Sequence, residues 1–501
     1  MRGLVRTIAL LAGLAAMPTF ADVTLRAGDT VVAKGELLDF DGRFYRILGE
    51  FGETTLDGRT LTCAGEDCPG PDAPERLRIS GEGWIVDTVL PPVIETFAQR
   101  EGYTLQISDE GATHVYDLLL NGKSAGRIEL LPTTSAEGVA DLIADVADFA
   151  VMLRPPTAPE AAMAREAGRG DLTRHERRAI LGLDAIVPVV SALSPRTQFG
   201  PGWSVRVDPQ DLHLPDPSTA LGQLVLDAFP SLTGVGAIYY QDAGELSRAV
   251  AEDPDAIGLT LYSKIGNAQA VPFSGECGAS IAATPETMKT EDYPYTVPIL
   301  IYAPARRLSD LARDVIDYAT SPVAQPVIRR AGLLDQFPES TSFAVQGDRL
   351  GLAISTAEDS AALPGLRRMV RDLRDRSRLS LSFRFTGGSS ELDAQSQDNV
   401  ARLARAIARG LFDGRDILFA GFTDRAGPSS ANRALSRDRA EAVRDAVEAA
   451  VGPDVVPLAA DGYGETLPIA CDDTNWGKRV NRRVEVWIGA AAAKETPLPG
   501  N

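Results

Sequence analysis

Apolar and polar positions change their spacing several times along the chain, and each change marks a new unit. Residues 22–70 alternate in strand fashion through Val23-Thr24-Leu25, Thr30-Val31-Val32 and Phe44-Tyr45-Arg46-Ile47, with turn signals at Asp41-Gly42 and Asp57-Gly58. This predicts a small β module, followed by a linker from Pro69 to Pro74. Between residues 75 and 345, short apolar strands such as Leu77-Arg78-Ile79, Phe149-Ala150-Val151-Met152 and Ala185-Ile186-Val187 alternate with helical patterns such as Val89 to Gln99. That rhythm predicts an α/β domain with a mainly parallel sheet, long enough for two lobes. Residues 346–377 read as a connector carrying a basic helical stretch, LRRMVRDLRDRSR, whose charges belong on a solvated face.

The last domain, 378–490, opens with a clean period of two. Leu379, Leu381, Phe383 and Phe385 share one face, while Ser380, Ser382 and Arg384 share the other, as in a half-buried strand. Val400, Leu403, Ala404, Ile407 and Leu411 follow at helical spacing. Ile417 to Gly421 is a second strand, Ser429 to Ala450 a second helix, and Val484, Val486 and Ile488 mark a final strand. Residues 491–501 read as a disordered tail. No internal repeat is visible.

The N-terminus changes the picture of where the chain works. Arg2 and Arg6, the apolar run Ile8 to Ala16 and Thr19-Phe20-Ala21 have the order of a secretory signal peptide over residues 1–21, with Asp22 as the first mature residue. The run is too short to span a bilayer, and no cysteine follows it to take a lipid. A chain that is soluble after export is expected. Formal charge is −19, which argues against nucleic acid or an anionic membrane as partner. The 501 residues exceed what one core organises, so two or three domains are expected. Four cysteines in an exported chain permit disulfides. Cys63 and Cys68, close together in TCAGEDCPG, are the natural pair; Cys277 and Cys471 either pair across domains or stay free. The three histidines, His114, His175 and His213, have no ligand-like spacing, so no metal or cofactor is expected.

Candidate chemistry gathers in the C-terminal domain. Asp424 lies where a strand gives way to a loop, and Arg439 lies in the helix that follows. An acid and an arginine converging on one pocket clamp a zwitterion: the carboxylate accepts from an ammonium group and the guanidinium gives paired bonds to a carboxylate. The plainer alternative is a salt bridge between the two, fixing loop to helix. Four segments bear on the choice: GFTDRAG (421–427), Asn432-x-x-Leu435-Ser436-x-x-Arg439-Ala440, GYGETLPIA (462–470) and Asn481-Arg482-Arg483-Val484-Glu485. In that order, over the 378–490 domain, they resemble the OmpA-like family of peptidoglycan-binding domains. The resemblance implies an α+β fold in which Asp424 and Arg439 hold diaminopimelate of the peptidoglycan stem peptide. Thr423, Leu435 and Arg483 would shape the pocket, and Asn432 would brace the loop. One departure is Phe422, where the family usually has histidine; binding is expected to survive it. No nucleophile–base pair or acid pair is visible, so a non-enzymatic role is expected.

The 75–345 domain resembles periplasmic phosphate-binding proteins of ABC transporters. The likeness rests on ISGEGWIVDTVLPPVIETFA, VMLRPP, LDAIVPVV, DPDAIGL, EDYPYTVPILIYAP and TSPVAQ. Oxyanion sites of that fold use hydroxyls and backbone N–H groups at helix N-termini. Here the expected hydroxyl positions carry Glu82, Trp84 and Leu153, and a buried unpaired carboxylate at Glu82 would repel phosphate. Glu82 could alternatively meet a cationic ligand or sit in a solvent-facing loop. Arg154, Ser218 and Thr219 remain as possible anion-binding residues. Phosphate, another small ligand and a partner-binding scaffold stay open for this domain. The chain as a whole therefore reads as a multidomain α/β protein: a small N-terminal β module, a two-lobed periplasmic-binding-protein-like domain and an OmpA-like domain. The two resemblances imply that it lies in the periplasm, where its expected partner is peptidoglycan, near the outer membrane. The alternatives are an anion receptor tethered to the cell wall, or an envelope factor that binds other proteins.

Overall fold

A computed structural model of the chain describes residues 22–70, 73–357, 362–385, 391–453 and 455–489. The expected signal peptide and the C-terminal tail lie outside the described residues. Among the described residues, no helix is long and apolar enough to cross a membrane.

Residues 22–64 form a five-stranded antiparallel sheet in the order Gly52–Asp57, Phe44–Gly49, Thr30–Phe40, Asp22–Ala27, Thr62–Ala64. Val23, Leu25, Tyr45 and Ile47 are its buried centre, and the Cys63–Cys68 disulfide closes its end. Four buried apolar residues make a thin core. The module is also held to the central domain by charge: Arg78 bridges Asp39 (3.2 Å) and Asp148 (2.9 Å), while Arg46 pairs with Asp145 and Arg306 reaches Asp41 (3.9 Å).

The central domain has two half-sheets joined by long strands. One half runs Thr104–Glu110, Thr113–Leu120, Lys123–Thr133, Glu75–Glu82, Phe149–Met152, Thr296–Tyr302; the other runs Ile257–Leu261, Leu212–Pro215, Ile238–Tyr240. Arg178–Val190 is long enough to pair with Thr296–Tyr302 through its first part and with Ile257–Leu261 through its last, so it belongs to both. This is the expected two-lobed α/β arrangement. The expected parallel character is not general. Only the pairs around Glu75–Glu82 and Leu212–Pro215 are parallel, and the rest are antiparallel. The physical reason is that strands passing between lobes return in the opposite sense, and residues 104–133 fold back as hairpins, which need only short turns.

In the C-terminal domain the strand order is Ser340–Ser342, Ser377–Phe383, Arg483–Ile488, Ile417–Phe422, Leu458–Gly462. Helices Ala394–Ala408 and Ser429–Val451 cover one face, burying Leu379, Leu381, Phe383, Leu403, Ile407, Phe419 and Val443. Leu411 falls beyond the first helix and is 44% exposed, so the helical spacing overran the element. The segment expected as a connector is part of this domain. Ser340–Ser342, from the end of the stretch expected as the α/β domain, adds an edge strand, and the connector's helix Ala362–Leu373 packs Met369 and Leu373 against Phe422, Tyr463 and Trp487 on the second face. Its arginines stay outside, and Arg368 pairs with Asp461.

The first strand of the domain is buried on both faces, not one. Arg378, Ser380, Ser382 and Arg384 are each at most 6% exposed, because the central domain covers them. Arg378 bridges Asp292 of the central domain (2.8 Å) and Glu485 (3.3 Å), and Arg384 also reaches Asp292 (3.1 Å). Burial alone would raise the Glu485 carboxyl, but Arg349, Arg378 and Arg483 outweigh it and hold it well below the usual range. A disulfide between Cys277 and Cys471 adds a covalent tie between the two domains.

Candidate binding site

Strand Ile417–Phe422, paired with Arg483–Ile488 on one side and Leu458–Gly462 on the other, delivers Thr423 and Asp424 into a loop that leads to helix Ser429–Val451. Glycines set the approach of that helix. A Cβ on Gly421 would fall 1.9 Å from the Ser436 carbonyl oxygen, and one on Gly462 would fall 2.4 Å from the Arg437 nitrogen. Larger residues would push the helix, and Arg439 with it, away from the loop.

The loop is braced from below. Asp472 accepts from the Arg425 backbone N–H (2.8 Å) and from the Asn481 side-chain amide (2.8 Å). Asn481 in turn accepts from the Ile469 (2.7 Å) and Ala470 (3.2 Å) backbone N–H groups. The Thr423 N–H donates to the Gly464 carbonyl (2.9 Å), tying this loop to the GYGETLPIA segment.

Asp424 is 7% exposed; one oxygen accepts from the Ala426 N–H (3.2 Å) and the other from Arg482 Nη1 (2.6 Å). Arg439 is 6% exposed and is not Asp424's ion-pair partner. Its Nε and Nη1 are buried without a hydrogen-bond partner, and its guanidinium lies 5.1 Å from the centre of the Phe385 ring. Burial lowers its proton affinity, Arg482 lowers it further and Asp424 opposes both. Thr423 Oγ1 and Asn432 Nδ2 are also buried without partners. The plain salt bridge between Asp424 and Arg439 is therefore not formed. A buried guanidinium with two unused donors is costly unless a ligand or water meets them.

Of the remaining expected pocket residues, Leu435 is 40% exposed on the same helix. Arg483 is fully buried and committed elsewhere: it donates to Glu485 (2.7 Å), to the Leu467 carbonyl (2.9 Å) and lies 4.5 Å from the Phe422 ring centre. Phe422, in place of the usual histidine, stacks on Tyr463 at 5.8 Å and supports the loop through apolar packing. Arg482 and Phe385 carry parts of the site that the sequence reading left unassigned. Arg482 adjoins the buried Arg483, and its alternate direction along the chain was the available signal.

Residues 384–482 match the model of the OmpA family. The C-terminal domain belongs to that family. Over 117 residues the chain is 35% identical to outer membrane porin F of Pseudomonas fluorescens, covering 23% of this chain and 34% of that protein. The chain thus spans about a third of the length of this curated relative. The OmpA domain also aligns with the peptidoglycan-associated lipoprotein of Burkholderia pseudomallei, at 30% identity over 21% of this chain and 88% of that one, with a TM-score of 0.20. A separate similarity, at 15% identity and a TM-score of 0.38, is to an ABC-type phosphate transport receptor from Vibrio cholerae, covering 52% of this chain and 99% of that one.

The residues expected to hold an anion in the central domain are not brought together as an open site. Arg154 gives Nη1 and Nη2 to Glu160 (2.7 and 2.8 Å). Ser218 donates to Asp216 (2.6 Å), and Thr219 caps helix Ala220–Ala228 by accepting from the Gly222 N–H (2.9 Å). Glu82 is neither unpaired nor solvent-facing. Its carboxylate accepts from the Ser135 hydroxyl (2.9 Å) and the Ser135 backbone, at the first turn of helix Ser135–Ala144. Burial raises its proton affinity and the two Ser135 bonds oppose this. The helix terminus that would receive an oxyanion already holds a carboxylate from the chain itself. Lys264 stacks over Trp84 at 4.7 Å beside it.

Proposed function

We propose that the OmpA domain binds peptidoglycan, with Asp424 and Arg439 holding the two charged ends of diaminopimelate in the stem peptide. The single observation that carries this reading is Arg439: buried, flanked by Phe385, electrostatically coupled to Asp424 and with two N–H donors unused. A ligand carboxylate would accept from one edge of that guanidinium, using one of those donors together with Nη2, and a ligand ammonium would exchange with Arg482 at Asp424. Arg482 keeps the acid compensated while the site is open. Charged hydrogen bonds of this kind contribute about 1.5–3 kcal/mol each.

The role is binding, not catalysis, and the place of action is the cell envelope on the periplasmic side. Within it the central domain is a scaffold whose anion position is filled by Glu82, which is why we favour this reading over an anion receptor. Sedimentation with purified peptidoglycan tests the assignment. The intact protein should sediment, Asp424→Ala and Arg439→Ala should remain in the supernatant, and Arg439→Lys should be weakened because it loses the paired geometry. Normal sedimentation of both alanine variants would overturn the site.

A further inference from the structure

The helix Ala394–Ala408 presents a second cluster on the side turned towards the central domain. Arg402 and Arg405 lie one turn apart on it, and Arg409 caps its end. Together with Arg178, Asp398 and Gln336 they line a cleft of about 330 Å³ between the two domains. The chain carries 69 acidic residues against 50 basic ones, yet this cleft has four arginines and one carboxylate. Asp398 is engaged by Arg178 at 3.2 Å. Among the described residues Arg402, Arg405 and Arg409 have no ion-pair partner, and Arg402 reaches only the Asn399 side-chain oxygen (3.2 Å).

Such a cluster is unfavourable as it stands. Like charges one turn apart on a helix repel, and Arg402 is also desolvated. Burial pushes the Arg402 guanidinium down to about 10, Asp398 opposes this and Arg405 adds to it. Two further atoms want partners: Arg178 Nε and Gln336 Oε1 are buried without hydrogen bonds. The first is a donor and the second an acceptor. A mixed apolar and polar cleft of this size between domains has the character of a small-molecule site.

We propose that this interdomain cleft binds a small organic polyanion that also carries a hydroxyl group. Its acidic groups accept from Arg402, Arg405 and Arg409, and its hydroxyl donates to Gln336 Oε1. Residues separated by one helical turn stand roughly 5–6 Å apart, which suits two carboxylates on a short carbon chain or one carboxylate and a phosphate. Bound there, the anion touches both the central domain, through Arg178 and Gln336, and the OmpA domain, through its first helix.

Calorimetric titration of the full mature chain at constant ionic strength tests this, with citrate and glycerol 3-phosphate as probes and chloride and sulfate as controls. At least one probe should bind saturably at one per chain and more tightly than sulfate. Citrate alone would assign the site to polycarboxylates, and glycerol 3-phosphate alone to phosphate esters. Arg405→Gln and Arg409→Gln, both at exposed positions, should each weaken binding about tenfold, the worth of one charged hydrogen bond. Ala401→Glu, which places a carboxylate in the lining, should abolish it. Asp424→Ala should leave it unchanged, which separates this site from the peptidoglycan site. Absence of one-to-one binding for both probes, or equal binding by intact protein and the two glutamine variants, would overturn the proposal.

Discussion

Replacing Cys277 and Cys471 together by serine removes the covalent link between the central and OmpA domains. The bond closes a segment of 194 residues, and the entropy of loop closure grows with the logarithm of length. Without it the unfolded chain gains freedom worth about 5 kcal/mol. The same reasoning gives only about 2 kcal/mol for the Cys63–Cys68 bond, five residues apart, because its loop is so much shorter. Urea unfolding followed by tryptophan fluorescence reads the effect in both domains, since Trp203 belongs to the central core and Trp487 to the OmpA domain. The oxidised protein should unfold in one transition, and the double-serine variant should lose about 5 kcal/mol in it. Peptidoglycan binding should weaken too, because Cys471 adjoins Asp472, which holds the Asp424 loop through the Arg425 N–H. A loss below about 1 kcal/mol, with Trp203 and Trp487 reporting separate transitions, would refute the reasoning: the two domains would then unfold independently and the loop-closure term would not apply.

Three other outcomes follow from the same structure. Asp292→Asn leaves Arg378 and Arg384 without their shared carboxylate, so stability should fall by about 3–5 kcal/mol in chemical denaturation, as for other broken buried pairs; a loss near zero contradicts the network. Glu291 is pushed from 4.5 up to about 7, by burial above all and against the pull of Arg384. A carboxyl whose folded value is raised binds its proton in the native state, so it stabilises at low pH, and that contribution is lost as pH rises from about 4.5 through 7, by about 3 kcal/mol. Glu291→Gln should flatten this part of the stability–pH curve, and an unchanged slope counts against the assignment. Finally, phosphate should leave the melting temperature of the intact protein unmoved, while Glu82→Ser should acquire a phosphate-dependent rise, because the terminus of helix Ser135–Ala144 is then vacated.

The elements of the OmpA domain were legible because their apolar positions repeat cleanly. Leu379, Leu381 and Phe383 do pack together under the two helices. What alternation does not tell is what covers the other face. Ser380, Ser382 and Arg384 have the composition of a solvent side, but the central domain buries them, and Arg384 is satisfied by the Thr290 and Glu291 carbonyls and by Asp292. Long-range partners of this kind leave no local mark. The same holds for the LRRMVRDLRDRSR helix, where two apolar residues, Met369 and Leu373, amid many arginines fix a buried face. The Asp424 and Arg439 positions were readable from motifs, but not the fact that Arg482 takes Asp424 while Arg439 stays unpartnered. That outcome depends on which of two adjacent arginines turns inward, and Arg483 does so because Glu485 lies on the same strand face two residues on.

These interfaces bear on how the chain would sit at the cell wall. A peptidoglycan-binding domain joined to its neighbour by a loose linker lets the neighbour sample many orientations. Here helix Ala362–Leu373 of the expected connector packs on the OmpA sheet, Arg378 and Arg384 cross to Asp292, and Cys277 is bonded to Cys471. Each tie is buried or covalent, so none is readily screened by salt. Binding at Asp424 and Arg439 would therefore fix not only the OmpA domain but also the direction in which the central domain and the β module project. The cleft lined by Arg402, Arg405 and Arg409 lies along this same junction. An anion held there would stiffen a joint that peptidoglycan binding has already oriented, and reduction of the Cys277–Cys471 bond would loosen it.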